Sequence, residues 1–377
     1  MDSFGYTHDE NDDPLISDCN SLSFVTYYST SDSYNAFDAL YNNKFGLRDN
    51  FMAFWDRVSA RFSKNPYVVG FDPINEPAIG NYWRDPSLLL PGNMDLYELQ
   101  PLYADVFKKY KANADDTVMW FEPNTWPNVM GMPFGGGYIP GIIQPAGFEG
   151  PPGGEFGSVN HVLNDHTYCC QLNDAVCKTG EPNVALKSQC LDWHRKRIGL
   201  RSADAERYGL PLMITEFGAC LTEASCTQEI SQVADVSDEY LVGWAYWQFK
   251  YYGDLTTTAS VGAEGFYEHD GTLQAWKVKA LSRTYMMATQ GVPTSQNFSM
   301  ETSDFAAEFI VNTAIDAPTV VYVNQPYYYE AGYDYKLSCE EEQVVVDTSD
   351  SRYIKFQVKD AALNGQKVTI EVIKKTI

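Results

Sequence analysis

The stretch Tyr67-Val68-Val69-Gly70-Phe71-Asp72-Pro73-Ile74-Asn75-Glu76-Pro77 decides the fold class. Tyr67, Val68 and Val69 form a short β-prone run bounded by turn-forming residues, which reads as a buried strand. The run delivers Asn75 and Glu76 at its C-terminal end and is stopped by Pro77. A second stretch repeats the pattern: Leu210-Pro211-Leu212-Met213-Ile214-Thr215-Glu216-Phe217-Gly218 is an apolar run ending in a single glutamate. Catalytic groups of (β/α) barrels stand at C-terminal strand ends. Two carboxylates placed this way, far apart in sequence, are what a retaining glycosidase needs, one as acid/base and one as nucleophile. Either glutamate alone reads equally well as a solvated turn residue, so the pair carries the argument.

Working outward, further strand ends carry polar or aromatic groups. Thr117–Phe121 runs into Glu122-Pro123-Asn124, Val159–Val162 leads to Asn164-Asp165-His166-Thr167-Tyr168, and Leu241–Phe249 is a strand rich in aromatics that includes Trp247. Helical spacing lies between them. Leu47, Phe51, Phe54, Trp55, Val58 and Phe62 predict one amphipathic helix, and Leu99, Leu102, Tyr103, Val106 and Tyr110 predict another. Helices are also expected around 191–208, 230–240 and 275–289, whereas residues 1–46 read as loop. Alternating strands and helices predict an α/β fold with parallel strands. From Thr294 the texture changes to short strands without helices: 305–311, 319–323, 335–338, 344–346, 353–358 and 368–373. This predicts a small all-β sandwich, with domains at 1–292 and 293–377.

The chain has 377 residues and a formal charge of −23, from 27 basic and 50 acidic side chains. Nucleic acid is excluded as a partner, since phosphate binding needs a basic face. None of the eight cysteines sits in a metal-type Cys-x-x-Cys spacing, which disfavours zinc. Their grouping in loops predicts disulfides and an oxidising compartment, hence a secreted, lysosomal or other endomembrane protein. Cys220 and Cys226 are expected to close a small loop, and two bonds are possible among Cys169, Cys170, Cys177 and Cys190. Asn297-Phe298-Ser299 is a glycosylation acceptor pattern. No apolar run reaches transmembrane length, and no apolar leader follows Met1.

The residue types suggest a division of labour. Glu76 would protonate the leaving oxygen and then activate water, while Glu216 would attack the anomeric carbon. Asn75 could hold the sugar 2-hydroxyl, and Tyr168 could hydrogen-bond Glu216 and keep it ionised. Trp247 offers a flat apolar face to the sugar ring. A strand-end His or Tyr is more often a satisfied structural group, and Trp247 alone is more often core. Glu122 is left structural.

The runs Asn75-Glu76-Pro77, His166-Thr167-Tyr168, Ile214-Thr215-Glu216-Phe217-Gly218 and Trp244-Ala245-Tyr246-Trp247-Gln248 together resemble glycoside hydrolase family 5, built on (β/α)8 barrels. The stretch from Gly243 to Lys250 and the C-terminal β-domain resemble its endoglycoceramidase branch, which includes related glucosylceramide and steryl-glucoside hydrolases. The resemblance implies Glu76 as acid/base and Glu216 as nucleophile, with Asn75, His166, Tyr168 and Trp247 shaping the sugar subsite, and neither metal nor organic cofactor. The implied substrate is a glycolipid cleaved between oligosaccharide and ceramide. Glucosylceramide, a steryl glucoside or a cellulase-like polysaccharide are the alternatives, and a non-catalytic glycolipid-binding relative is the non-enzyme reading. The Gly/Pro-rich stretch 127–157, with Met132, Phe134, Tyr138, Ile139, Ile142 and Ile143, could meet a lipid surface peripherally.

In that family the acid/base strand is the fourth of eight, and the third carries a sugar-contacting His. A βα unit takes roughly 30 residues, so three do not fit before Tyr67. The expectation is therefore an incomplete barrel, about strands 4–8, from an N-terminally truncated chain that folds poorly and is nearly inactive alone.

Overall fold

A computed structural model describes residues 5–19, 21, 27, 30–125, 132–134, 137–139, 143–169, 184–218, 220, 223–249 and 265–375. The chain divides into two units, one of residues 1–225 with 243–265 and the other of residues 226–242 with 266–377.

The first unit is built on β1 (Gly70–Phe71), β2 (Val118–Phe121), the hairpin β3 (Met132–Phe134) and β4 (Gly137–Ile139), β5 (His161–His166), β6 (Leu212–Glu216) and β7 (Gly243–Trp244). Five of these form one sheet in the order β1-β2-β5-β6-β7, and every pairing is parallel. Each neighbour in space is the next strand of the sheet in chain order. That is the singly wound arrangement of a (β/α) barrel, and it brings the C-terminal ends of all five strands to one side. Helices α1 (Ser31–Tyr41), α2 (Leu47–Phe62), α3 (Gln100–Asn113) and α4 (Lys187–Tyr208) belong to this unit. The apolar spacing of α3 buries Leu102, Tyr103, Val106, Phe107 and Tyr110. Tyr110 meets Trp55 of α2 at a ring separation of 5.8 Å and Phe71 of β1 at 5.2 Å. Gly70 is required at the β1–β2 contact, because a Cβ there would lie 2.3 Å from the Val118 carbonyl oxygen.

The structure corrects several sequence expectations. Tyr67 and Val69 are 92% and 74% exposed, and the strand proper is only Gly70–Phe71. Among the described residues β1 pairs on one side only, so the β-branched run lies beyond the reach of the ladder. Likewise the strand expected over 241–249 is confined to Gly243–Trp244. Residues 1–46 are not all loop: Thr30 caps α1 by accepting from the Ser33 N–H, and Asp38, Ala39 and Tyr41 are buried. Tyr41 donates from α1 to the Ala78 carbonyl at 2.8 Å.

In the second unit, helix α5 (Glu223–Tyr240) contributes from Cys226 onward, followed by α6 (Ala275–Leu281). The helix expected to run to 289 ends at Leu281. Its apolar continuation is instead β8 (Tyr285–Ala288), and β9 (Gly291–Phe298) follows, so the boundary expected at 292/293 falls inside a strand. The remaining strands are β10 (Phe305–Val311), β11 (Thr319–Tyr322), β12 (Tyr333–Leu337), β13 (Val344–Asp347), β14 (Tyr353–Val358) and β15 (Lys367–Lys374). They form two antiparallel sheets, β12-β15-β10-β9 and β13-β14-β11-β8, around one apolar core that includes Phe298, Phe309, Val321, Ile354, Phe356 and Ile370. No helix among the described residues is long and apolar enough to cross a membrane.

Candidate active site

Parallel pairing sets Glu76, Glu122, His166 and Glu216 at neighbouring strand ends. His166 closes β5 opposite Glu216 of β6 in the sheet register. Its ring Nδ1 donates to Glu76 Oε1 at 2.8 Å and lies 3.6 Å from Glu216 Oε2. Its Nε2 faces Glu122 Oε2 at 3.8 Å. Tyr168 donates its hydroxyl to Glu216 Oε2 at 2.9 Å. Glu76 has a left-handed backbone, with φ of 44°, and its peptide N–H donates to Glu122 Oε1. On the far side Trp247 follows β7 in a parallel bridge with Gly218. Gly218 has φ of 138°, and a Cβ there would lie 2.6 Å from the Trp247 carbonyl oxygen, so the approach of these two loops needs glycine. Trp247 is 39% exposed, with a face left to solvent.

The cluster is anionic, and His166 is its cation. Burial opposes the charge on His166. The carboxylate of Glu122, the hydrogen bond to Glu76 and the charges of Glu76 and Glu216 outweigh it and raise its pKa to about 10. Burial lifts Glu216 to about 7, aided by the charge of Glu76, while His166 and the Tyr168 hydroxyl pull it back. Burial also lifts Asp72 to about 6, against the pull of His166 and of Asn164, whose amide donates to Asp72 Oδ2 at 2.9 Å. Glu76, His166 and Glu216 each bring one ligand-type atom within 4.8 Å of the others. Nδ1 of His166 lies between the two carboxylates, hydrogen-bonded to Glu76, and we read the group as an acid–base cluster.

Behind the site, α4 supplies a buried charge lattice. Arg197 Nε donates to the His166 carbonyl at 2.9 Å and its Nη2 pairs with Asp165. Arg201 Nε donates to Asp165 Oδ2 at 2.9 Å and its Nη1 pairs with Asp204. Asp165 in turn accepts from the His166 peptide N–H at 2.9 Å, which fixes the turn that aims the imidazole.

The structure thus brings together Glu76, Glu216, His166 and Tyr168. Asn75 is exposed beside Glu76, and Trp247 stands at the neighbouring strand end. His166 is almost wholly buried and lies among the carboxylates of Glu76, Glu122 and Glu216. Glu122, read as structural from sequence, lies inside the cluster; its strand-end position after β2 was the available signal. The side chains of Met132, Phe134, Tyr138, Ile139 and Ile142 fall outside the described residues, as do Cys170 and Cys177. Cys169 is bonded to Cys190, and Cys220 and Cys226 are both disulfide-bonded cysteines.

Comparison with known proteins adds the following. A model described as Cellulase (glycosyl hydrolase family 5) matches residues 25–253, and one described as the glycoside hydrolase family 5 C-terminal domain matches residues 283–372. The endoglycoceramidase of Cyanea nozakii is 27% identical over 323 residues, covering 85% of this chain and 57% of the relative. That of Hydra vulgaris is 27% identical over 333 residues, covering 86% of this chain and 55% of the relative. The chain therefore spans about half the length of these curated relatives. Among solved structures, endo-glycoceramidase II from Rhodococcus sp. in its ganglioside GM3 complex superposes with a TM-score of 0.67 at 20% identity, covering 93% of this chain and 69% of that one. Sterylglucosidase 1 of Cryptococcus neoformans, with tris, superposes at 0.51 and 12% identity over 74% of this chain and 44% of that one. Both structural likenesses are likenesses of fold.

Proposed function

This chain belongs to glycoside hydrolase family 5, and from that premise we propose that it is the catalytic part of a retaining β-glycosidase acting on a glycolipid, at the bond between glycan and lipid. One observation carries the reading. Carboxylate oxygens of Glu76 and Glu216 lie within 4.8 Å of one another, around a shared histidine. Retaining enzymes hold their two carboxyls about 5–5.5 Å apart, whereas inverting enzymes leave roughly 6.5–9.5 Å for a water.

Glu216 attacks the anomeric carbon while Glu76 protonates the departing oxygen. The glycosyl–Glu216 ester then forms, and Glu76, now ionised, takes a proton from the water that hydrolyses it. Tyr168 and His166 both favour the charged form of Glu216, and this keeps a nucleophile available despite its burial. The exposed Trp247 offers a ring face for the sugar, and Asn75, exposed beside the acid/base, is the residue we assign to the sugar 2-hydroxyl. The glycolipid substrate is supported by the named activity of the relatives over most of this chain. An oxidising compartment, secreted or endomembrane, is supported by the Cys169–Cys190 bond.

The test has two parts. Glu216→Ala and Glu76→Gln should each lower kcat on an aryl β-glucoside by about 10³-fold or more, and azide should restore glycosyl transfer to Glu216→Ala. Near wild-type turnover in either variant overturns the pair. Thin-layer chromatography of ganglioside, glucosylceramide and cellopentaose digests should show release of an intact oligosaccharide from the ganglioside. Cleavage of cellopentaose alone overturns the lipid substrate.

A further inference from the structure

The mechanism above gives no task to Glu122, a buried acid inside the cluster itself. Glu122 is 1% exposed, and both of its carboxylate oxygens point into the site. Oε1 accepts the peptide N–H of Glu76 itself, and Oε2 faces His166 Nε2 at 3.8 Å. Its own main chain is anchored, because Tyr103, fully buried on α3, donates its hydroxyl to the Glu122 carbonyl at 3.0 Å. The loops that follow the two strands are joined as well, by the Thr125 N–H donating to the Pro77 carbonyl at 2.9 Å. Glu122 is therefore a fixed point for the acid/base and for the histidine together.

We propose that Glu122 is a positioning residue for both catalytic carboxylates. It holds the left-handed turn that presents Glu76, and across 3.8 Å it faces Nε2 of the same His166 whose Nδ1 reaches Glu76 and Glu216. This inference rests on Glu76 and Glu216 being the catalytic pair.

Two physical points favour it. A left-handed backbone at a residue with a side chain is costly, and it persists only where the surroundings hold it; the clamp on the Glu76 N–H is such a hold. A buried imidazolium also needs compensation on each side. Nδ1 has it from Glu76 and Glu216, and Glu122 is the acid facing Nε2. The other charged groups that act on Glu122 are Asp72 and Glu76 from the segment after β1 and Arg197 from α4, and it acts on the phenols of Tyr41 and Tyr103. Burial, with the charges of Asp72 and Glu76, raises Glu122 well above an ordinary carboxylate against the pull of His166 and of the Glu76 N–H, so its charge acts on His166 only toward alkaline pH. The signs then follow. Removing the Glu122 charge lowers the pKa of His166.

The experiment compares wild type with Glu122→Gln and Glu122→Asp in the whole chain, with folding checked by circular dichroism. The first readout is independent of activity: the titration of His166 in histidine-selective nitrogen NMR, assigned with His166→Gln. Wild-type His166 should keep both ring protons above about pH 8, and Glu122→Gln should lower its midpoint by about one pH unit or more. Glu122→Asp keeps the charge and should hold the midpoint near that of wild type. The second readout is kinetic. Glu122→Gln should lower kcat about 10–100-fold with KM changed less than about threefold. An unchanged His166 midpoint in Glu122→Gln overturns the inference, as does a neutral His166 in wild type at pH 7. A Glu216→Ala variant that retains activity overturns the catalytic pair instead, and an inactive Glu216→Ala beside a wild-type-like Glu122→Gln overturns this inference alone.

Discussion

The two units fill their interiors differently. In the C-terminal unit the central strands alternate: β10 buries Phe305, Ala307, Phe309 and Val311, and β14 buries Ile354, Phe356 and Val358. The core of its sandwich is one apolar cluster, and the charged groups this unit buries, among them Asp238, Lys277 and Arg283, lie outside the strands. The parallel unit buries Asp95, Glu122, Asp165, His166, Arg197, Arg201 and Asp204 beside its apolar residues. Apolar burial stabilises without regard to protonation. Buried charges stabilise only while each keeps its partner, and they hold a site at chosen protonation states. The comparison separates a unit that has only to stay folded from one that has to hold acids and a base in register.

Cutting each interior once tests this contrast most severely. Arg201→Met would take from Asp165 and Asp204 one of the two arginines that each holds, Arg197 and Arg207 remaining, and removing one partner of a buried pair costs about 3–5 kcal/mol. Phe309→Ala would open a cavity in the sandwich at a similar cost, about 3–5 kcal/mol. Size does not distinguish them, but pH does. Burial opposes the charge on Asp165, yet Arg197 and Arg201 hold its pKa below the ordinary value. Its contribution is therefore present above the unfolded pKa and is lost as pH falls through the folded one. Without Arg201, Asp165 protonates more readily, so the deficit of Arg201→Met should shrink on acidification from about pH 7 toward pH 4, whereas that of Phe309→Ala should not. Urea unfolding at several pH values, followed by tryptophan fluorescence, reads both. Parallel behaviour of the two variants would remove the distinction.

A smaller effect is expected at the rim of the charged site. Tyr168→Phe deletes one hydrogen bond to a carboxylate, roughly 1.5–3 kcal/mol, or about 10–100-fold in kcat/KM. That bond lowers the pKa of Glu216. Without it the pKa rises further above about 7, and the acid limb should move to higher pH. A profile that loses height without moving would mean that Tyr168 orients Glu216 and leaves its charge alone.

The same contrast explains what could be read from sequence. The ends of β5 and β6 were legible because an apolar run stopped abruptly at polar residues, a local signal. The partnership of Glu122 was not legible, since Glu122-Pro123-Asn124 looks like any acidic turn until β1 and β2 pair and Glu76 turns its N–H toward it. The Tyr67–Val69 run misled because β-propensity reports side-chain fit and says nothing of whether a neighbour is there to pair. In the sandwich, β9 was missed because Pro293 reads as a strand breaker. It is tolerated because β9 is the edge strand of its sheet. β8 was absorbed into the helix before it, where Tyr285, Met286 and Met287 extend an apolar pattern that either period accommodates.

The smallest expected effect falls on a charge of the C-terminal unit. Arg352 meets Asp350 through both Nε and Nη2, at 3.1 and 2.9 Å, and lies 5.3 Å from the centroid of the Tyr353 ring. By geometry alone it resembles Arg201, which also gives two guanidinium nitrogens to carboxylates. The difference is solvent: the Arg352 side chain is 67% exposed, and that of Arg201 is 0% exposed. The hydrogen bonds from Arg352 hold Asp350 at a pKa of about 2, but an exposed pair is screened by water and salt, and its residues lose side-chain freedom in forming it. Arg352→Ala should therefore leave the melting temperature within measurement error at physiological ionic strength, with no dependence on added salt and no effect on hydrolysis. A loss approaching that of Arg201→Met would mean that the sandwich also depends on its charges, and that burial is not what separates the two units.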